Sequence, residues 1–155
     1  GLAYTNYLKR IRCDVGMQWL NVRKGFDNES LHDSDSVVRL VDYASDGLAP
    51  ASWRMFAGEG ADPVQYALSR ALRDRGGFCW PNATMADLDG RTAGMLVAHP
   101  LDESVDPEDW PDLFRPFIRL ENLRIGWTYI AALAVEPWAR GRGIATSLAS
   151  YLELA

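Results

Sequence analysis

The chain has 155 residues, of which 48% are apolar and 24% are charged, and its formal net charge is −5. These values predict a single globular domain with a packed core. The negative charge argues against a nucleic-acid partner, because phosphate binding needs a basic surface. No stretch approaches the roughly 18 apolar residues of a membrane span, so no membrane partner is expected.

The cysteines and histidines indicate neither a disulfide framework nor a metal site. Cys13 and Cys79 lie far apart and outside any CxxC pattern, and His32 and His99 are isolated. Such isolated residues lack the spacing of metal ligands. Because no secretory signal is visible at the N-terminus, a cytoplasmic location with reduced cysteines is predicted.

The chain is predicted to consist of a short N-terminal extension followed by one domain. Residues 1–16 show no clear pattern and are interpreted as an unassigned N-terminal extension, and residues 17–155 are interpreted as one domain. Residues 19–23 are predicted to form the first strand. Because this strand follows Met17 at once, that methionine is a candidate for the true start of the protein.

Two helices are predicted to follow the first strand. Ser34 or Asp35 is expected to cap the first, which ends near Gly47. Its apolar face is formed by Val37, Val38, Leu40, Val41 and Ala44. Asp62 and Pro63 indicate the start of the second, with a capping side chain and a proline at the first helical position.

A β-hairpin is the clearest element of the middle of the chain. Residues 82–88 and 91–99 are strand-like and are joined by Asp89 and Gly90. An Asp-Gly pair suits a two-residue turn in which both residues have positive φ.

The last part of the chain predicts a loop, a short helix, a strand and a helix. Residues 101–112 contain six acidic residues and are expected to form the loop, which precedes a short helix at 113–123. Residues 128–135 are nearly all apolar, which predicts a strand covered on both faces. A final helix is expected to begin near Gly143. The order of elements predicts an α/β fold, with a central mixed sheet flanked by helices.

The segment between that strand and the final helix reads VEPWARGRGIAT and covers residues 135–146. The N–H groups of a first helical turn are unpaired and lie at the positive end of the helix dipole. Glycines let phosphate oxygens approach the backbone, and Arg140 and Arg142 add positive charge. The segment therefore predicts a phosphate-binding turn at the carboxyl end of a strand.

Known phosphate-binding signatures do not fit this segment. A Walker loop requires a lysine, which is absent, and the Rossmann pattern requires a third glycine where Thr146 stands. RNA-binding arginine-glycine tracts are repeated and disordered, whereas this segment follows an apolar strand.

The same segment resembles motif A of the GNAT acetyltransferase superfamily, whose pattern Gln/Arg-x-x-Gly-x-Gly/Ala is matched by Arg140, Gly143 and Ala145. The hairpin sequence around Asp89-Gly90 is also similar to a segment of that family. The resemblance implies acetyl-CoA as cosubstrate. It implies that backbone groups of Leu133, Ala134 and Val135 bind the pantetheine arm. The pyrophosphate is then expected on Arg140, Gly141, Arg142, Gly143, Ile144 and Ala145.

The catalytic groups are less well defined by the resemblance. Many relatives place a polar residue on the motif A strand, where this chain has Ala131 and Ala132. Glu121 is the candidate for the catalytic base, acting through water, and a helix-end carboxylate is the alternative. The resemblance also implies that the backbone amide of Val135 polarises the thioester carbonyl.

The sequence ends soon after the motif A helix, and residues 147–155 carry no helix stop signal. Relatives continue with further strands, so a fragment that lacks the C-terminal strands is expected, with the motif A strand as an exposed edge. The predicted function is acetyl transfer to a small-molecule or peptide amine by direct transfer in a ternary complex. A non-catalytic acyl-CoA-binding domain and a nucleotide-phosphate binder are the alternatives, and a homodimer is possible by analogy with relatives.

Overall fold

Among the residues that the structure describes, five strands form one sheet in which the spatial order of the strands follows the chain order. The computed structural model describes residues 9–12, 19–24 and 31–154. All neighbouring strands are antiparallel. The strands are β1 Lys9–Arg12, β2 Trp19–Lys24, β3 Ala83–Leu88, β4 Arg91–Pro100 and β5 Thr128–Val135.

Helices pack on both faces of this sheet. Three of them, α1 Leu31–Ser45, α2 Leu48–Ala57 and α3 Pro63–Ala71, lie between β2 and β3 in the sequence. The other two described α-helices are α4 Arg115–Asn122, before β5, and α5 Ile144–Leu154, after it. The predicted α/β fold with a sheet flanked by helices is confirmed, but the sheet is antiparallel in all its described pairs rather than mixed.

The core has two parts, one on each face of the sheet. On one face, α1, α2 and α3 bury an apolar cluster that includes Val37, Leu40, Trp53, Met95, Val97, Ala132 and Ala134. On the other face, α5 buries a cluster that includes Leu20, Leu88, Leu96, Ile144 and Leu148. The sheet thereby positions the start of α5 against β4 and the end of β5.

Local signals predicted the hairpin and the start of α3 correctly. Asp89 and Gly90 both have positive φ, at 53° and 76°. The Asp62 side chain accepts a hydrogen bond from the Val64 N–H at 2.9 Å, and Pro63 is the first helical residue. These features depend only on neighbours in sequence, so the sequence is sufficient to define them.

Three expectations about boundaries and elements need correction. The first helix begins at Leu31 rather than after Ser34 or Asp35. Helix α2 was not predicted, because Gly47, which has φ +86°, and Pro50 in its first turn are residues typical of loops. Strand β1, which pairs with β2, lies within residues 1–16, the segment interpreted as an extension without a clear pattern.

The expectation that residues 128–135 are covered on both faces is wrong for the first half of β5. Thr128, Ile130 and Ala131 are exposed, whereas Ala132 and Ala134 are buried. The cause is position, because β5 is the edge strand of the sheet and no described strand pairs with its outer side.

Candidate active site

The turn after β5 depends on two glycines that have left-handed backbone conformations. The chain leaves β5 at Val135, makes a short helical turn at Pro137–Ala139 and enters α5 at Ile144. Gly141 and Gly143 both have φ +75°, a region that other residues adopt only with strain. The Arg-Gly-Arg-Gly sequence thus directs the N-terminus of α5 to the end of the strand.

Helix α5 presents unpaired N–H groups at this turn. Its first intrahelical hydrogen bond runs from the Ser147 N–H to the Gly143 carbonyl at 2.9 Å. The N–H groups of Ile144 and Ala145 therefore have no carbonyl of the helix as acceptor. A Cβ atom built on Gly141 or Gly143 would meet no heavy atom within 4 Å. The space above this backbone is open to an anion, which the helix dipole favours.

Arg140 adds positive charge to this turn and also holds it in place. Its Nε donates a hydrogen bond to the Val135 carbonyl at 3.0 Å, and its guanidinium lies 5.7 Å from the centre of the Tyr43 ring. The side chain is exposed, so its charge remains at the rim of the turn. Arg142 is partly buried.

The outer edge of β5 carries backbone groups that point away from β4. The Ala134 carbonyl faces β4, because a Cβ on Gly94 would lie 2.9 Å from its oxygen, and the Glu136 N–H bonds to the Ala93 carbonyl at 2.8 Å. Backbone groups of successive residues in an antiparallel strand point to alternate sides. The N–H groups of Leu133 and Val135 therefore point to the uncovered edge.

A β-bulge interrupts β5 at Ala131. The pairing passes from Val97 with Ala132 to Ala98 with Ile130, so Ala131 has no partner on β4. Bulges are common next to active sites, where they redirect the strand. The bulge lies about 13 Å along β5 from Val135, at about 3.3 Å per residue.

A buried ion pair fixes the junction between β5 and the turn. The Glu136 side chain is only 6% exposed, and its Oε1 accepts hydrogen bonds from Arg39 Nε at 2.8 Å and Arg39 Nη2 at 2.6 Å. The hydrogen bond to Glu136 is the largest cause that raises the pKa of Arg39. Arg39 belongs to α1, so this pair ties α1 to the residue that follows β5.

Gly94 allows β4, β5 and α5 to approach closely. Besides the Ala134 oxygen, its Cβ would meet Ile144 Cγ2 at 3.3 Å. We expect Gly94→Val to lower the free energy of unfolding by about 1–3 kcal/mol, since the strand and the helix must move apart. Urea denaturation measures this loss, and an unchanged midpoint would contradict the assigned contact.

Glu121 lies at the other end of β5, beside two other titratable side chains. Burial is the main cause that raises its pKa, and the charge of His99 partly opposes this effect. Burial also raises the pKa of Tyr129, and the charge of Glu121 adds to the increase. The His99 and Tyr129 rings are in contact edge to face, with centroids 5.6 Å apart. We call these three residues the His99 cluster.

The raised pKa of Glu121 predicts a cost in stability. Above both the ordinary and the raised value, the ionised carboxylate is disfavoured in the folded protein. This cost fades as the pH falls below the ordinary value. We expect Glu121→Gln to unfold at an equal or higher temperature than the parent at pH 7, and at the same temperature near pH 3. Glu59→Gln, which removes an exposed carboxylate, is the control, and a clear loss of stability in Glu121→Gln at pH 7 would contradict the prediction.

The structure brings the predicted cofactor residues together and places Glu121 apart from them. Leu133, Ala134 and Val135 lie on β5, and the segment 140–145 forms the turn and the start of α5. Tyr129, which adjoins Glu121, is about 20 Å along β5 from Val135.

Sequence reasoning missed Arg39, Glu136, Gly94, His99 and Tyr129 as parts of this region. A glycine within a strand pattern indicates a close backbone approach, so Gly94 carried a usable signal. The other four carried none, because their partners are distant in sequence.

The acidic loop before α4 is partly neutralised by arginines of that helix. Arg115 Nη1 pairs with Asp112 at 2.8 Å and with Glu108 at 3.1 Å, and Arg119 lies 3.4 Å from Glu108. The loop therefore presents less negative charge than its sequence indicates.

Within residues 9–12, 19–24 and 31–154, no three His, Cys, Asp or Glu side chains are grouped to hold a metal ion. None of the described helices combines the length and apolar character needed to cross a membrane.

Comparison with known proteins identifies a family. The profile of the acetyltransferase (GNAT) family matches residues 46–154. A mutant of agmatine N-acetyltransferase in its apo form shares the fold with a TM-score of 0.53 and 16% identity, over 87% of this chain and 69% of that chain. An N-acetyltransferase from Staphylococcus aureus Mu50 superposes with a TM-score of 0.49 and 18% identity, over 86% and 75% of the two chains. No curated protein matches the sequence.

Proposed function

Because this chain belongs to the GNAT acetyltransferase family, we propose that it moves the acetyl group of acetyl-CoA to an amine by direct transfer in a ternary complex. One observation carries the proposal. The outward N–H groups of Leu133 and Val135 lead directly to the open turn of Gly141 and Gly143 and to the N-terminus of α5. A cosubstrate with a polar arm attached to a pyrophosphate fits this arrangement.

The residues of the turn would hold the pyrophosphate. Backbone N–H groups between Arg140 and Ala145 surround the open space at the positive end of α5, and the side chains of Arg140 and Arg142 add charge. Leu133 and Val135 would hold the pantetheine arm through their backbone, whereas the predicted contact of Ala134 does not fit, because its backbone groups face β4. The Val135 N–H would donate to the thioester oxygen and stabilise the negative charge that develops there.

The chemistry requires the acceptor to be deprotonated before it attacks. When bound, acetyl-CoA supplies the thioester carbonyl and the thiolate leaving group. Glu121 is the proposed base, and its raised pKa makes it a better proton acceptor than an ordinary carboxylate. Because Tyr129, beside it, lies about 20 Å along β5 from Val135, Glu121 would have to act on the acceptor through a chain of several waters. The acceptor is a primary amine on a small molecule, a peptide N-terminus or a lysine.

We also propose a cytoplasmic location, which the buried free thiol of Cys79 supports. A homodimer stays a prediction.

A second candidate function is an acyl-CoA-binding domain without catalysis. The observation that favours it is the alanine at the bulge, Ala131, because this position carries a polar residue in many relatives. Both functions predict that the protein binds acetyl-CoA. Only the acetyltransferase predicts that the thiol of CoA is released when an amine is added.

Thiol release from acetyl-CoA tests the proposal. The protein is mixed with acetyl-CoA and, in separate reactions, with spermidine, agmatine and a peptide that contains one lysine. Release that depends on both the protein and one of these amines supports acetyl transfer. Saturable binding of acetyl-CoA without amine-dependent release would favour the non-catalytic domain, and no binding by the folded protein would contradict both.

A further inference from the structure

Tyr43 is an exposed aromatic residue of α1 that contacts the turn after β5. The centre of its ring lies 5.7 Å from Cζ of Arg140, and the residue is 41% exposed. A guanidinium within about 6 Å of the centre of an aromatic ring is attracted to the face of that ring. Tyr43 belongs to neither of the two apolar clusters of the core, so core packing does not account for the contact.

The ion pair between Arg39 and Glu136 sets the position of Tyr43. Residues four apart on a helix lie on the same face, so Tyr43 follows Arg39 by one turn on the same face of α1. Arg140 likewise follows Glu136 by four residues and stands at the end of the short helical turn. The two contacts therefore join α1 to both ends of the segment 136–140.

Arg140 combines a fixed guanidinium with unused donors. Its Nε donates to the Val135 carbonyl at 3.0 Å. In an antiparallel strand the N–H and the carbonyl of one residue point to the same side, so this carbonyl lies on the uncovered edge of β5. Within the part of the chain that the structure describes, Nη1 and Nη2 of Arg140 form neither a hydrogen bond nor an ion pair. Their N–H groups therefore stay available for an oxyanion.

These donors belong to the residue that opens the proposed phosphate turn. Arg140 directly precedes Gly141, above which no heavy atom would meet a Cβ within 4 Å. An arginine binds a phosphate through two N–H groups in a fixed geometry. A guanidinium that is already held in place loses less side-chain entropy when the phosphate binds. A residue that holds Arg140 can thus raise the affinity without a contact of its own with the ligand.

We propose that Tyr43 is a positioning residue for the cosubstrate, because its ring holds the Arg140 guanidinium at the turn where the pyrophosphate binds. This inference rests on the proposed acetyl-CoA site and adds to it a residue of α1, far in sequence from the motif. Tyr43 acts through Arg140, so its effect disappears when the charge of Arg140 is removed. The face of the ring, rather than the hydroxyl, carries the interaction.

Calorimetric titration with acetyl-CoA tests the role of the ring. We expect Tyr43→Leu, which keeps an apolar side chain but removes the aromatic face, to bind acetyl-CoA about three- to fivefold more weakly. Tyr43→Phe keeps the ring and is expected to bind within about 1.5-fold of the parent. Trp127→Leu is the matched control, because it removes a similar contact with Arg124, at 5.5 Å, at the other end of β5. It should leave the affinity unchanged.

A double variant shows whether Tyr43 acts through Arg140. Arg140→Gln is expected to weaken acetyl-CoA binding at least about tenfold, because charge-assisted hydrogen bonds to the phosphate are lost. Adding Tyr43→Leu to Arg140→Gln should weaken the binding no further, whereas two independent effects would multiply. A residue needed only for the stability of α1 would not show this dependence on Arg140.

A second thioester locates the effect on the ligand. S-acetylpantetheine carries the same thioester and arm as acetyl-CoA but no pyrophosphate. In thiol release with the best amine of the panel, Tyr43→Leu is expected to lower kcat/KM for acetyl-CoA about three- to fivefold and to leave kcat/KM for S-acetylpantetheine unchanged. A merely structural role would lower both values and would overturn the inference.

The results that overturn the inference differ from those that overturn the proposed function. The inference is wrong if Tyr43→Leu or Arg140→Gln binds acetyl-CoA as tightly as the parent, or if Tyr43→Phe loses as much affinity as Tyr43→Leu. It is also wrong if Tyr43→Leu weakens Arg140→Gln by the factor by which it weakens the parent. If the folded parent binds no acetyl-CoA, the proposed function itself fails. If the variants bind as expected but no amine causes thiol release, the inference stands and the non-catalytic domain is favoured.

Discussion

Replacing Gly143 with Asp is expected to weaken acetyl-CoA binding at least about 100-fold, or about 2.7 kcal/mol. Two effects act together. A residue with a Cβ at φ +75° is strained by roughly 1–2 kcal/mol, so the turn relaxes away from its conformation. The new carboxylate also puts negative charge at the N-terminus of α5, where the pyrophosphate is expected. Calorimetric titration of the variant with acetyl-CoA measures the loss.

The chain offers a matched control for this change. Gly60 has φ +78°, and a Cβ built on it would also meet no atom within 4 Å, but it lies in the turn between α2 and α3. Gly60→Asp introduces the same strain and the same charge away from the proposed site. It is expected to bind acetyl-CoA as the parent does. Equal binding by Gly143→Asp and the parent would show that the turn is not the phosphate site.

Replacing Arg39 with Met is expected to lower the free energy of unfolding by about 2 kcal/mol. Removing one partner of a buried ion pair costs about 3–5 kcal/mol, because the other charge stays buried and unpaired. We expect about 2 kcal/mol rather than this range because the Arg39 side chain is 46% exposed, although Glu136 is buried. Weaker acetyl-CoA binding should accompany this loss, since Glu136 joins β5 to the turn. Urea denaturation and titration of the same preparation measure both quantities.

The control for this variant is Arg54→Met, which removes an exposed arginine from α2 and should change neither quantity. The double variant Arg39→Met with Glu136→Gln tests the cause directly. If the unpaired carboxylate is responsible, the double variant is more stable than Arg39→Met alone. If the changes in the free energy of unfolding caused by Arg39→Met and Glu136→Gln simply add in the double variant, the two side chains do not interact.

The parts of the site that could be predicted from the sequence are those defined by local backbone chemistry. Asp89-Gly90 and Asp62-Pro63 determine their own turn and helix start, and they form as predicted. The arginine-glycine turn likewise combines a strand end, two glycines and a helix start within one short segment. The resemblance to a family could be stated for the same reason, because its motif is contiguous.

The parts that could not be predicted depend on contacts between distant segments. Arg39 and Glu136 are 97 residues apart, and neither stands in a pattern that indicates a partner. His99 appeared isolated because its neighbours, Tyr129 and Glu121, reach it only through the pairing of β4 with β5 and the position of α4. The burial of β5 was overestimated because an apolar run does not reveal which of its residues are covered by helices, and here only the half after the bulge at Ala131 is.

The central claim is that the turn after β5 binds the pyrophosphate of acetyl-CoA. Its most direct test is calorimetric titration of the protein with acetyl-CoA, with ATP titrated in parallel. Our account predicts saturable binding of acetyl-CoA at one site that is lost in Gly143→Asp, kept in Gly60→Asp and much tighter than the binding of ATP. A folded protein that shows no heat of binding with acetyl-CoA, or that binds ATP as tightly, would contradict it.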